Sequence, residues 1–153
     1  MMFKKLKIKE KFFIAQILGW LGTIPFFICI FFTLFYLNID FKAREIGIAY
    51  SAIILSFLGA VHWGLLFEKI KEEPKIFFWR WLWGVAPSLI GWLGLSIMII
   101  VNSYKIASII LSLGYVATFI FDYKVLSGYQ WYKKLRVYLT IIALLSTLII
   151  GFK

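Results

Sequence analysis

The chain has 153 residues, 63% of them apolar, with a mean hydropathy of +0.92 and a formal net charge of +10. An ordinary soluble domain is nearer half apolar, so this composition excludes one. The positive charge is gathered into clusters between long apolar stretches, which points to lipid rather than nucleic acid as what the Lys and Arg residues meet.

The expected class is all-α: a polytopic membrane helical bundle of five transmembrane helices, forming a single transmembrane domain over 1–153. The spans read as about 12–37, 47–67, 81–101, 106–121 and 137–152. A bilayer-crossing helix needs about 20 residues. The first three stretches meet that length, while the fourth and fifth do so only if Asp122, Lys124, Lys134 and Arg136 lie at the interface. Thirteen Lys and Arg residues fall in the N-terminal segment and in the loops after the second and fourth spans, against four on the other side. The positive-inside rule then places the N-terminus in the cytoplasm and the C-terminus outside, as in a bacterial cytoplasmic (inner) membrane protein.

The first span opens on Lys4, Lys5, Lys7, Lys9 and Lys11, contains Gln16, and is interrupted by Pro25. Its apolar run is longer than a signal-peptide core of about 7–15 residues, so a retained helix is expected. Cys29 is the sole cysteine and excludes an internal disulfide; it reads as a small apolar filler.

The second span carries Ala52, Ser56, Ala60 and Gly64 at i, i+4 spacing, a small-residue seam of the kind that brings membrane helices together. It also holds the one histidine of the chain, in Gly59-Ala60-Val61-His62-Trp63-Gly64. An ionisable group in hydrocarbon is costly and is by default a candidate functional site. His62 can equally be a neutral imidazole that locks the bundle through a hydrogen bond, and a single His without a second ligand is a poor metal signal.

The third span places Gly84, Ser88 and Gly91 on one face and Pro87 within the helix, where a bend is expected. In the fourth span, Ser108, Ser112, Tyr115, Thr118 and Asp122 share one face about 120° wide at 100° per residue. Polar groups at that depth should face protein. Asp122 and His62 come at similar depth, so they can form a hydrogen-bonded pair if the second and fourth helices are neighbours. His62, Asp122, Tyr115, Ser88 and Gln16 are the candidate lining of a polar pocket in the cytoplasmic half. Gly59, Gly64, Gly84, Gly91, Pro25 and Pro87 are the candidate packing and kink positions.

The fifth span continues the pattern with Thr140, Ala143, Thr147 and Gly151. Ahead of it, Tyr129, Trp131 and Tyr132, like Trp79, Trp81 and Trp83 before the third span, read as an interfacial aromatic belt. Segment 122–136 reads as an amphipathic stretch on the membrane surface.

Leu18-Gly19-Trp20-Leu21-Gly22 with Pro25, the Gly59–Gly64 run, Pro87-Ser88, Gly114-Tyr115 with Asp122, and Trp131-Tyr132-Lys133-Lys134-Leu135-Arg136 together resemble a domain-of-unknown-function membrane family. That family includes the mitochondrial transmembrane protein sixty-nine and its bacterial relatives. The resemblance covers nearly the whole chain and implies a multi-pass inner-membrane protein, with no activity to carry over. It also implies that Arg stands at the His62 position in some relatives, which favours a polar anchor or anion contact there over obligatory proton transfer.

The function expected is a non-enzymatic bundle that binds a small ligand, a lipid or a proton. One alternative is an assembly or structural partner of a larger membrane complex, acting with another membrane protein or as a homo-oligomer. A second is a tryptophan-rich, porphyrin-binding sensor, suggested by size, span number and seven Trp residues. No Ser/His/Asp triad, HExxH motif, phosphate loop or nucleotide fingerprint appears, and no cofactor, metal or nucleic-acid partner is expected.

Overall fold

A computed structural model describes residues 8–36, 38–68, 74–125 and 130–153. The expectations for Lys4, Lys5, Lys7, Lys69, Lys71 and Tyr129 lie outside the described residues. The elements are all helices: α1 (Ile8–Leu21), α2 (Ile24–Phe35), α3 (Asp40–Glu68), α4 (Pro74–Val101), α5 (Tyr104–Val125) and α6 (Gln130–Phe152). Among the described residues, five helical segments are long and apolar enough to cross a membrane: Phe13–Phe35, Asp40–Gly64, Phe78–Val101, Tyr104–Val125 and Trp131–Phe152.

The bundle carries its apolar side chains outward. Phe57, Trp92, Leu113 and Ile100 are among the most exposed, with Ile100 at 80%, while Ser51, Thr33, Ser108 and Thr147 are at 0%. Such an arrangement is stable only where the surroundings are themselves apolar, and the solvent of this surface is a lipid bilayer.

The first span is two helices rather than one kinked helix. α1 ends at Leu21, Gly22 and Thr23 form a turn, and Pro25 falls in the first turn of α2, where its missing N–H costs nothing. Thr23 satisfies the broken end by donating from Oγ1 to the Trp20 carbonyl at 2.7 Å. The carbonyl of Gly22 accepts from the Tyr50 hydroxyl of α3 at 2.7 Å. A neighbouring helix thus re-satisfies a backbone group freed within the span.

Pro87 differs: α4 runs through it without a break. Its ring lies beside Gly59 of α3, where an added Cβ would sit 3.2 Å from Pro87 and 2.5 Å from the Gly84 carbonyl oxygen. Further along the same pair, a Cβ on Gly91 would sit 2.9 Å from the Ala52 carbonyl, and the Trp63 indole lies directly over Gly84. Gly59, Gly84, Gly91 and Pro87 therefore seat α4 on α3.

The seam read on the second span does not hold along its length. Ala52 is buried, but Ala60 and Gly64 are exposed, and nothing approaches the Gly64 Cβ position within 4 Å. The buried stripe of α3 is Ile48, Ser51, Ala52, Leu55, Gly59, His62 and Leu66. A strict i, i+4 series drifts about 40° per step, so residues 52 and 64 point about 120° apart, whereas alternating steps of three and four stay on one face.

α3 is the central element, packing against α2, α4, α5 and α6; α4 also meets α5, α5 meets α6, and α1 meets α6. At the end away from the N-terminus, Arg44 closes the C-terminus of α6. It donates from Nε to the Ile150 carbonyl at 3.0 Å and from Nη2 to that of Gly151 at 3.1 Å, with its guanidinium over the Tyr104 ring. A cation there satisfies orphan carbonyls and complements the helix dipole. The turn between α4 and α5 uses Asn102 at φ 53°, a left-handed conformation that Asn tolerates better than most residues.

Candidate functional site

In an antiparallel bundle the C-terminal ends of α3 and α5 and the N-terminal end of α6 share one face of the membrane. Each brings one polar side chain inward. His62 of α3 is 2% exposed, Asp122 of α5 4%, and Arg136 of α6 5%. His62 Nε2 lies 2.6 Å from Asp122 Oδ1. Arg136 donates from Nε to Asp122 Oδ2 at 2.6 Å, with Nη2 2.5 Å from the same oxygen. A carboxylate already paired with a guanidinium is an acceptor only, so His62 Nε2 carries the proton in that contact. The imidazole also meets Phe121 edge-on at 5.2 Å between ring centroids, and Phe121 stacks on Trp83 of α4 at 4.5 Å.

Asp122 and Arg136 are therefore not interfacial span ends, as their charges suggested. They face each other across the α5–α6 hairpin, and the fourth and fifth spans extend past them to Val125 and back to Trp131. Opposite charges at matched depth on facing helices remove most of the cost that would drive either to the surface. Residues 122–125 continue α5 and 130–136 begin α6, so no separate surface helix is formed by these described residues.

Arg136 is the functional candidate missed from sequence, and the signal was present. Its spacing continues the Thr140, Ala143, Thr147, Gly151 stripe one turn back, and all five of these residues are buried.

The remaining candidates are dispersed. Tyr115 is fully buried and belongs to a second polar network near mid-bundle. Its hydroxyl donates to the Ser51 carbonyl at 2.8 Å, and Ser51 Oγ lies 2.6 Å from Thr147 Oγ1, which donates to the Ala143 carbonyl at 2.7 Å. Ser88 and Gln16 are half-buried and belong to neither network. Thr118, on the Asp122 stripe, bonds back to the Gly114 and Tyr115 carbonyls of its own helix.

A cavity of about 430 Å³ opens between α1, α2, α3, α5 and α6. Its walls are almost wholly apolar, including Leu18, Phe26, Leu58, Leu135 and Leu139, with Tyr115, Tyr132, Thr140 and Arg136 as the polar exceptions beside Thr23. The pocket expected from sequence is thus displaced. Tyr115 lines it, but His62, Asp122, Ser88 and Gln16 do not. α4, which carries Ser88, packs on the far side of α3 and α5 and contributes no wall. A small crevice beside the cavity is lined by Asp122, Tyr123, Lys133, Tyr132 and Arg136, so Arg136 and Tyr132 belong to both. Among the described residues, no group of three or more His, Cys, Asp and Glu could hold a metal ion.

Residues 13–152, the helical bundle with both polar networks, match the family described as "Protein of unknown function (DUF3429)". The chain belongs to this family. Transmembrane protein 69 of Xenopus tropicalis is 34% identical over 101 residues, covering 65% of this chain and 38% of that protein. The chain thus spans well under half the length of this curated relative. No solved structure matches. The family description names no activity, so function has to be argued from the site.

Proposed function

We propose that this DUF3429 chain is a non-enzymatic binding protein of the membrane, holding the apolar body of a small amphiphile in the cavity between α1, α2, α3, α5 and α6. The observation that carries this reading is the cavity itself. About 430 Å³ falls within the range of about 300–1,000 Å³ typical of small-molecule sites, and such sites combine apolar walls with a few convergent polar groups. Tyr115, Tyr132, Thr140 and Arg136 are those groups.

Binding can be tested with the full chain in phosphatidylcholine nanodiscs, by displacement of a fluorescent long-chain probe with unlabelled hexadecanol and hexadecanoate. Leu58→Trp, which adds bulk at the cavity wall, is expected to weaken displacement at least tenfold without lowering the melting temperature. Absence of any long-chain binding by the wild type would sink the reading.

The cluster end of the bundle is proposed to face the cytoplasm of a bacterial inner membrane, on the strength of the Lys and Arg bias. A C-terminal alkaline phosphatase fusion should then be active, and a C-terminal fluorescent-protein fusion dark; the reverse pair of results refutes the orientation.

Nothing favours the two alternatives over the cavity. Of the glycines that would serve an assembly partner, Gly84, Gly91 and Gly151 are occupied within the chain, by Trp63, Ala52 and Ser108, while Gly64 stays exposed. For a porphyrin, His62 would have Nδ1 alone to offer, since Nε2 is engaged by Asp122, and the residue is 2% exposed.

A further inference from the structure

We infer that Arg136 anchors the head of a single-chain amphiphile bearing an oxyanion, a carboxylate or a monoalkyl phosphate. The inference rests on the amphiphile reading of the cavity and names the ligand class.

Among the described residues lining the cavity Arg136 is the sole charged one, and it sits where the cavity meets the crevice containing Asp122. Both of its contacts with Asp122, through Nε and Nη2, go to the single oxygen Oδ2. A guanidinium carries five N–H donors in a planar fork, so donors remain for a second oxyanion. One turn along α6, Thr140 also lines the cavity. Its hydroxyl is buried without a hydrogen-bond partner, although the residue is only 7% exposed. Buried hydroxyls are normally paired; Thr33 and Ser112 are orphaned elsewhere in the bundle too, but of these three it is Thr140 that lines the cavity beside an arginine. The head is thus offered a charged donor and a neutral one from the same face of α6.

The charges of the lining favour an anion. Asp122 balances Arg136, and Lys133 adds a second cation to the same crevice. Around the cluster, α5 presents the neutral phenols of Tyr115 and Tyr123. α6 presents Tyr132 and also Lys133, whose ammonium rests over the Tyr123 ring. α4 reaches the site through Trp83, which stacks on Phe121. The described cavity-lining residues of α1 and α2 are uncharged. An oxyanion head therefore enters a lining with one more cation than carboxylate among the described residues.

The test uses the full chain in phosphatidylcholine nanodiscs and probe displacement by hexadecyl sulfonate, hexadecanoate, hexadecyl phosphate and hexadecanol. The sulfonate keeps its charge across the working range, so it reports the anchor without titration of the head. Oxyanion heads are expected to bind at least tenfold more tightly than the alcohol; whichever of carboxylate and phosphate binds more tightly identifies the source of the ligand.

The charge-balanced pair Asp122→Asn with Arg136→Gln, which leaves no lone buried charge, should lose at least tenfold in oxyanion affinity while circular dichroism confirms a folded helix content. Equal binding of alcohol and oxyanions overturns the anchor and leaves the amphiphile reading standing; no binding of any chain overturns that reading as well. Unchanged oxyanion affinity in the double variant also refutes the inference.

Discussion

Asp122 is the residue on which the cluster depends, because its two carboxylate oxygens are divided between partners. Oδ1 meets His62 and Oδ2 meets Arg136, at 2.6 Å in each case. Removing one member of a buried ion pair leaves the other charge uncompensated and costs about 3–5 kcal/mol, while removing both is far cheaper. Arg136→Leu alone should therefore destabilise the protein strongly, and Arg136→Leu combined with Asp122→Leu should recover much of the loss. Thermal unfolding of the two variants in detergent measures this directly. Strictly additive effects would show that the pair is not energetically coupled.

Arg44 makes a second residue-scale case at the opposite end. It is a half-buried cation on two terminal carbonyls of α6, and Arg44→Ala should cost up to about 2 kcal/mol, read as a lower melting temperature.

At the scale of elements, glycine position decides more than glycine presence. Gly59 and Gly64 belong to the same motif of α3, yet one seats α4 and the other faces open space. Gly59→Ala would drive a methyl group against the Gly84 carbonyl, a backbone atom that cannot swing aside, and should cost about 1–3 kcal/mol. Gly64→Ala meets nothing and should be neutral or stabilising by up to about 1 kcal/mol, the helix-propensity difference. Chemical denaturation of the two variants separates them; equal effects would mean that the α3–α4 contact is not glycine-dependent. The prolines divide similarly. Pro25 begins a helix and Pro87 lies within one, and the difference is made by Gly22 and Thr23, which end α1 first.

For the whole molecule, α3, α5 and α6 form the polar-networked centre, α4 and α2 flank it, and α1 packs on α6 with Phe13, Leu18 and Trp20 exposed. α1 also supplies one wall of the cavity. With fewer tertiary contacts, its amides should exchange faster than those of α5, in a hydrogen–deuterium exchange experiment on the nanodisc-embedded chain. Equal protection of the two helices would refute this.

Much of this architecture was legible in the sequence, residue by residue. The helical class and five spans follow from apolar runs of bilayer length between charged clusters. The Ser108, Ser112, Tyr115, Thr118, Asp122 face could be traced at 100° per residue, and all five of these side chains are buried. Arg136 was harder, because a basic residue beside Trp131 and Tyr132 reads as an interfacial anchor until its partner is known. The cavity was harder still. It lies between the turn at Gly22 and Thr23 and the facing walls of α3, α5 and α6, a space that no single helix encodes.

The sequence by itself determined that this chain lives in lipid, as helices, with inward faces marked by small and polar residues. Those properties depend on local composition and periodicity, which the chain carries in order. Tertiary structure alone decided which polar residues meet, that Arg136 rather than a surface lipid neutralises Asp122, and where the bundle leaves room for a ligand. Those depend on which helices become neighbours, and in a membrane that choice is made by close packing and facing charges, not by hydrophobicity.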